Sequence, residues 1–446
     1  MKKLLTIFII AFISNTLSFS KDKWSLQECI DYALKHNISI QLKRIDEENT
    51  SVIVKTAKIE FLPSLNFSME HNLNWGRSVD LQTLEIVNNK LTQNTGMGIG
   101  ASVYLLDGLS KIYDMKIYRL QHQIAGFEKE AAKEEIAISV IKAYLQTLLS
   151  AEILSTIEKN IGSLKQQKEI IETFVLNNRS HNSSLLEIKG EEAAQQMELA
   201  NAINLHQNNI LSLKELLNIG IGEPFEIEGH IATFPTDSGE ISMYNNLDLL
   251  KKYHPTILSW DKKIEADKYS IKKAKGKLFP TIGISGSYST FYSSTATQPD
   301  GSILPFGSQL KENINPSVGI SLTIPIFNNG KYRMEITRNN LQKRHDELQL
   351  IRQQQLIEKR LTELLLETKK SLRRMESAQE HLKYMEESLE YAKIKLESGK
   401  IDSASYTDIF RRESRARSDY LREKYQYLFN MEIVKFYNNF SLKFMI

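Results

Sequence analysis

The stretch AKGKLFPTIGIS, Ala274 to Ser285, echoes an earlier one, AKIEFLPSLNFS, Ala57 to Ser68. Each holds an alanine-lysine pair, a short mixed run, a lone proline, and then residues alternating small or polar with bulky apolar. The two lie 217 positions apart, counted from Ala57 to Ala274. Proline breaks a helix interior by removing a hydrogen bond and clashing with the preceding turn. Strict alternation is the period of a strand. Each proline therefore marks a switch from helix to strand, and the chain makes that switch twice.

The rest of the chain carries the same duplication. GIGASVYLLDG from Gly98 answers GISLTIPIFNNG from Gly319, now 221 positions apart. At that offset Ile136 meets Ile357, Leu145 meets Leu366, Leu154 meets Met375, Leu164 meets Met385, Val175 meets Leu396 and Asn178 meets Gly399. Repetition on this scale is a duplicated domain rather than a solenoid unit. The first repeat is expected at 21–235 and the second at 236–446, joined by a linker from about Asn218 to Asn246 that holds Pro224 and Pro235.

All nine prolines lie between Pro63 and Pro325; none falls between Pro63 and Pro224, and none follows Pro325. Those proline-free stretches are rich in good helix formers. They predict long helices over about 109–217 and about 330–440, each turning once, at Asn177 to Ser184 and at Glu397 to Ser405. Gly399 suits a left-handed C-cap. Near the start, Ser25 to Glu28 reads as a capping box opening a short helix.

Strands are expected at about 64–75, 96–105, 281–291 and 317–325. Leu65, Phe67, Met69, Leu73 and Trp75 point one way, with His71 breaking their row, and Asn66, Ser68, Glu70, Asn72 and Asn74 point the other. Met97, Ile99, Ala101, Val103 and Leu105 oppose Gly96, Gly98, Gly100, Ser102 and Tyr104. Ile282, Ile284 and Tyr288 oppose Thr281, Gly283, Ser285 and Ser287. Val318, Ile320, Leu322 and Ile324 oppose Gly319, Ser321 and Thr323. An ordinary half-buried sheet alternates in the same way. Two features fit a membrane wall: the non-apolar face is small and mostly neutral, and each strand is near the nine to eleven residues that cross a bilayer. In that reading Phe67, Met69, Ile99, Val103, Ile282, Ile284, Ile320 and Leu322 face lipid. Four strands cannot close a barrel, for which eight is the usual minimum; three copies would pool twelve.

The start reads as a secretion signal. MKK is a basic region, LLTIFIIAFI an apolar core, and Ser18 and Ser20 offer a cleavage site, so residues 1–20 are expected to be removed and the protein to work outside the cytoplasm. The core spans about 15 Å as a helix, half a bilayer's hydrocarbon thickness. No other segment approaches twenty consecutive apolar residues. Cys29, the one cysteine, sits in a helical context without the small residues that would precede a lipid-bearing cysteine, so no lipid anchor is expected. With 57 Lys and Arg against 54 Asp and Glu, spread along the chain, there is no basic block for nucleic acid.

These features resemble the TolC-like outer membrane efflux protein family. The resemblance rests on WSLQECIDYALKHNISI near the mature start, the two lysine-x-x-x-proline strand openers, IPIFNNGKYR from Ile324 to Arg333, and ESGKIDSASYTDIF at the second helical turn. It implies a mixed α and β fold: a homotrimer with a twelve-stranded outer membrane β-barrel and long antiparallel helices forming a periplasmic α-barrel. It also implies a periplasmic adaptor and an inner-membrane transporter as partners, with outer membrane lipid around the strands. Family members often narrow the helical tip with acidic residues. Asp408 stands at one such position, Ser405 replaces the acid at another, and Asp402 and Glu187 are further candidates. Asn178, Ser180, Ser183, Gly399, Lys400 and Ser403, small or polar at the tips, are candidates for adaptor docking. In the first repeat Tyr104 stands where the second has Pro325, and Leu109 where it has Gly330, so a less sharp bend is expected there.

No catalytic constellation, phosphate loop or cofactor site is legible, and no enzyme is expected. The nine histidines show no metal-ligand spacing, with His36, His71 and His254 read as surface or packing residues, and the eleven methionines form no cluster. The leading function is the exit duct of a tripartite efflux pump. The exit duct of a type I secretion system is the alternative, and a secreted coiled-coil structural or adhesive protein a distant third.

Overall fold

The computed structural model describes residues 23–79, 86–229, 248 and 252–442. The leader expected at 1–20 and much of the linker lie outside the described residues. In chain order come α1 (Leu26–His36), α2 (Ile38–Ile59), β1 (Ser64–Val79), β2 (Ile86–Asp107), α3 (Ser110–Leu176) and α4 (Asn182–Leu217). The second repeat supplies α5 (Pro255–Gly276), β3 (Thr281–Ser293), α6 (Phe306–Glu312), β4 (Asn315–Thr323), α7 (Lys331–Glu397) and α8 (Ser403–Leu442). The two longest helices, α3 and α7, have 67 residues each, about 100 Å at 1.5 Å per residue. The chain divides into two compact units. One holds residues to Arg44, Glu128–Ile257 and from Arg352 onward; the other holds Ile45–Phe127 and Leu258–Ile351.

The first unit is built on α1. Its capping box is present: Glu28 N donates to Ser25 Oγ (3.4 Å) and Ser25 N to Glu28 Oε2 (3.0 Å). The face this start presents, Cys29 and Ala33, packs with Val140, Ile141, Tyr144 and Leu148 of α3 and Leu213 and Leu217 of α4. Within α3 lies a window apolar enough, by length and composition, to cross a membrane; half of it is buried. Tyr144 is 1% exposed, and its hydroxyl donates to the Trp24 and Glu228 carbonyls at 3.1 and 3.2 Å. That satisfies its polar tip where Trp24 and Ile227 form a short parallel bridge. A second polar cluster lies deeper. Glu134 accepts from the Tyr437 hydroxyl (2.7 Å) and sits 3.2 Å from His254 Nε2, placing His254 in packing as the sequence suggested.

The second unit holds one antiparallel sheet of order β1-β2-β3-β4. β1 and β2 run on past the expected 64–75 and 96–105. The alternation that marked them fades at Gly76, where the register shifts, and at the polar run NNKLTQNT, but backbone pairing continues through both. The link from β3 to β4 holds α6, tied back by Gln309. That side chain is fully buried, accepting from Ser293 N (2.9 Å) and donating to the carbonyls of Ser293 (3.0 Å) and Leu304 (2.8 Å).

Helices α5 and α7 carry a pair of acids in this unit. Burial pushes the Asp267 carboxyl up to about 6, and the neighbouring Asp346 carboxyl adds to the rise, against a lowering influence of Lys343. Asp267 Oδ2 is buried with no donor, whereas Asp346 Oδ1 accepts from Gln342 (2.9 Å) and contacts His345 Nδ1 (2.8 Å). A group whose carboxyl pKa is raised on folding binds its proton more tightly in the folded state, so stability falls as pH rises from about 4 through 6. Asp267→Asn is therefore expected to raise the midpoint of thermal unfolding in detergent at pH 7.5 and to raise it much less near pH 4, at the foot of that window. Circular dichroism at the two pH values checks this, and equal shifts at both would refute it.

Candidate functional site

Hydrogen-bond register, rather than any one residue, makes the sheet two-faced. Phe67 pairs with Ile99, Ile99 with Tyr288, and Tyr288 with Pro316. The neighbouring row runs Leu65, Ala101, Gly286, Val318, and the next joins Val103, Ile284 and Ile320. Met69 lies opposite Met97, and Ile282 opposite Leu322. The eight strand residues singled out by alternation therefore share one face. That face is open: Phe67 is 67% exposed, Ile320 75% and Val318 85%. Burying a side chain of this size is worth about 1.5–3 kcal/mol, and among the described residues none covers these three.

The opposite face is built from small groups in equally continuous rows. One runs Asn66, Gly100, Ser287, Ser317; another Ser64, Ser102, Ser285, Gly319; a third Ser68, Gly98, Ser289, Asn315. Serine hydroxyls bridge strands at Ser287–Ser317 (2.8 Å) and Ser64–Ser102 (3.3 Å). Close packing fixes one of the glycines: a Cβ on Gly98 would stand 2.9 Å from Ser289 Cβ. Such a surface is wettable and nearly uncharged, with Glu70 its acid on β1. It can pass polar solutes without holding them.

At the ends of the strands the two repeats turn alike. Gly108 and Leu109 both adopt positive φ (66° and 62°), as do Asn329 and Gly330 (56° and 74°). The bend expected to be less sharp is therefore the same two-residue left-handed turn, with Leu109 carrying a conformation that costs a side-chain-bearing residue about 1–2 kcal/mol. Ser110 Oγ donates to the Asp107 carbonyl (2.8 Å) and Lys111 N to Asp107 Oδ2 (3.1 Å), which caps α3 and holds the turn.

The helical tips also match. Asn178 and Gly399 are left-handed (φ 57° and 70°). Arg179 N bonds to Phe174 O and Asn178 N to Val175 O (2.8 and 3.1 Å). Lys400 N bonds to Lys395 O and Gly399 N to Leu396 O (2.8 and 2.9 Å). Both are the Schellman pattern that ends a helix on a left-handed residue. Beneath them Leu164, Ile171, Ile188, Ala392, Leu396, Tyr406 and Phe410 form one buried cluster.

The candidate tip residues divide. Asn178, Ser183, Gly399 and Lys400 are exposed and Ser180 half-buried. Ser403 is not available for docking: it is 1% exposed, and its hydroxyl donates to Glu187 Oε2 (2.7 Å) across the two hairpins. Asp402 caps α8, accepting from Ser405 N (3.0 Å), and the Ser405 side chain together with that backbone bond holds its carboxyl below the usual range. Asp408 is exposed and pairs with Arg412 at 2.7 Å, one turn on. Among the described residues no group of three or more His, Cys, Asp or Glu could hold a metal ion.

Residues 246–432 match the sequence model of the outer membrane efflux protein family. Similar folds occur in the Campylobacter jejuni CmeC outer membrane channel (16% identity, 95% of this chain and 90% of that one, TM-score 0.73) and in the outer membrane protein VceC of Vibrio cholerae (14%, 92% and 94%, TM-score 0.74). The open-state MtrE outer membrane channel of Neisseria gonorrhoeae is also similar (15%, 93% and 88%, TM-score 0.72). Among curated proteins none matches the chain by sequence. The chain thus carries the sequence pattern of the outer membrane efflux protein family over residues 246–432 and shares the fold of these channels over 92–95% of its length.

Proposed function

We propose that this protein is the outer membrane exit duct of a tripartite efflux assembly: a homotrimeric, passive conduit that receives cargo from a periplasmic adaptor and an inner-membrane transporter. The observation that carries the reading is the four-stranded sheet with an exposed apolar face, a small polar face and two unpaired edges. Hydrocarbon tolerates no unpaired backbone edge, so the edges of β1 and β4 must meet another copy. The apolar rows then face lipid, and the serine and glycine rows face the lumen.

The duplication specifies how copies meet. Within the chain β2 pairs with β3. Moving β2 forward by 221 gives β4, and moving β3 back by 217 gives β1, so the same pairing joins β4 to β1 of the partner subunit. Ala101 opposite Gly286 becomes Leu322 opposite Met69 of the partner subunit, and Gly100 opposite Ser287 becomes Ser321 opposite Glu70 of the partner subunit. Apolar meets apolar and small meets polar, a parity that a slip of one residue would destroy.

Three experiments test this. A chain carrying Ser321→Cys and Glu70→Cys is expected to form a covalent ladder up to trimer on oxidation, because directly opposed positions lie within disulfide reach. Buried Cys29 gives little background. Ser321→Cys with Met69→Cys, whose side chains point to opposite faces, is expected to give none, and equal ladders would refute the register.

Ile320→Arg is expected to cost assembly about 2–4 kcal/mol near the bilayer midplane, whereas Ser321→Arg is tolerated. Trimer yield in the outer membrane fraction compares them, and equal yields would reverse the assignment of faces.

At the tips, Lys400→Trp or Ser183→Trp is expected to abolish export while the trimer stays intact, and Asp408→Ala to raise conductance in planar bilayers. Normal export by both tryptophan variants would remove the docking surface, and unchanged conductance would remove Asp408 from the aperture.

A further inference from the structure

Where α5 gives way to β3, a cavity of about 420 Å³ opens between that helix end and the turn after β2. Its floor is backbone, since Gly108 and Gly276 approach so closely that a Cβ on either would collide with the other's carbonyl. Leu106, Leu109, Phe279 and Pro280 line it, and Lys272 and Lys275 stand at its rim. These two lysines differ from their neighbours in the run KKAKGK. Lys273 is paired with Asp114 (2.6 Å) and Lys277 with Glu335 (2.7 Å), bracing helix against helix. Lys272 and Lys275 are exposed and, among the described residues, have no carboxylate partner; Lys272 lies over the Tyr269 ring, 5.2 Å from its centre, with Lys116 5.0 Å from the same ring. Spaced i, i+3, the two ammonium groups share one helix face.

The duplication supplies an independent observation. The same spacing recurs at Lys55 and Lys58 on α2, followed by Leu62 and Pro63 where the second repeat has Phe279 and Pro280. Phe327 stands where Leu106 does. Lys55 and Lys58 are likewise exposed without a carboxylate partner among the described residues. Residues elsewhere in these segments have diverged, including Gly276 against Ile59 and Leu109 against Gly330, yet both lysines, the proline and the apolar positions of Leu106 and Phe279 recur.

We propose that this cavity binds an anionic glycerophospholipid of the periplasmic leaflet, with its phosphate held by Lys272 and Lys275 and its glycerol and first acyl carbons against Leu106, Leu109 and Phe279. The proposal rests on the outer membrane reading, which puts the helix-to-strand switch at the headgroup level. Lysines there extend their ammonium groups to phosphate while their stems cover apolar surface, and each cation near an anionic headgroup adds to the attraction. In the proposed trimer the corresponding lysines, Lys55 and Lys58, fall at the seam between copies, where the lining differs because Ile59 and Gly330 replace Gly276 and Leu109.

Native mass spectrometry of the full-length assembly in detergent, titrated with phosphatidylglycerol or phosphatidylcholine, tests the site. Phosphatidylglycerol is expected to bind more tightly, and K272Q/K275Q to weaken it about tenfold while leaving phosphatidylcholine unchanged. Leu109→Trp, which fills the cavity, is expected to weaken both lipids. Inorganic phosphate at millimolar concentration should fail to displace the lipid; full displacement would reduce the site to a free-phosphate site and overturn the proposal. So would equal binding of the two lipids by the unmodified protein, or unchanged binding by K272Q/K275Q. Insertion into lipid vesicles is scored separately by flotation. A protein that inserts but shows no lipid preference refutes the lipid site alone, and one that inserts into no bilayer refutes the outer membrane reading.

Discussion

Every backbone N–H and C=O that enters hydrocarbon must find a partner there, and four strands leave two edges without one. That constraint orders the rest of the molecule. It explains why apolar side chains stand open on β1 and β4, where a soluble sheet would be an aggregation hazard. It explains why the opposite face is kept, Glu70 apart, to hydroxyls, amides and bare backbone. The helix-breaking prolines Pro63 and Pro280 follow from it too, since the switch between helix and strand must fall at the membrane boundary. On the proposed reading a protomer is an unfinished object, and its fold makes sense as one third of a closed wall.

Packing in the helical unit obeys a different rule. There the long helices are bound by buried clusters that include hydrogen-bonded polar groups. The hydroxyl of Tyr144 reaches two carbonyls, and Glu134 is held by Tyr437 and His254. Both join segments distant in sequence. The Schellman turns at Asn178 and Gly399 match bond for bond, although the two residues differ.

Much of this was legible in the sequence because its signals are local. A proline, a period of two and a glycine or asparagine after a helix each report their own backbone, and these placed the strand openings, the shared face of the eight apolar residues and the helical turns. Long-range facts were not legible. Ser403 looks like an exposed turn residue; it is buried because Glu187, 216 residues away, accepts its hydroxyl. Leu109 gives no hint of its left-handed backbone, since leucine is a poor residue for it, and the conformation is imposed by Asp107 and the neighbouring glycine. The helix Phe306–Glu312 has seven residues and no side-chain cap, too little for any periodicity; the hydrogen bonds of Gln309 tie it down. The far ends of β1 and β2 lost their alternation, but backbone pairing does not depend on side-chain pattern.

The contact between Gly108 and Gly276 bears on symmetry. In the proposed trimer the corresponding junction between copies would have Ile59 in place of Gly276 and Asn329 in place of Gly108, so two backbones could not meet there in the same way. Six similar junctions would therefore alternate around the ring, three drawn tight within a chain and three held wider between chains. Such a ring is threefold by construction even though its ancestral unit was repeated six times. Any motion that dilates it would begin at the wider junctions, leaving each chain's own hairpins locked together as a rigid stave.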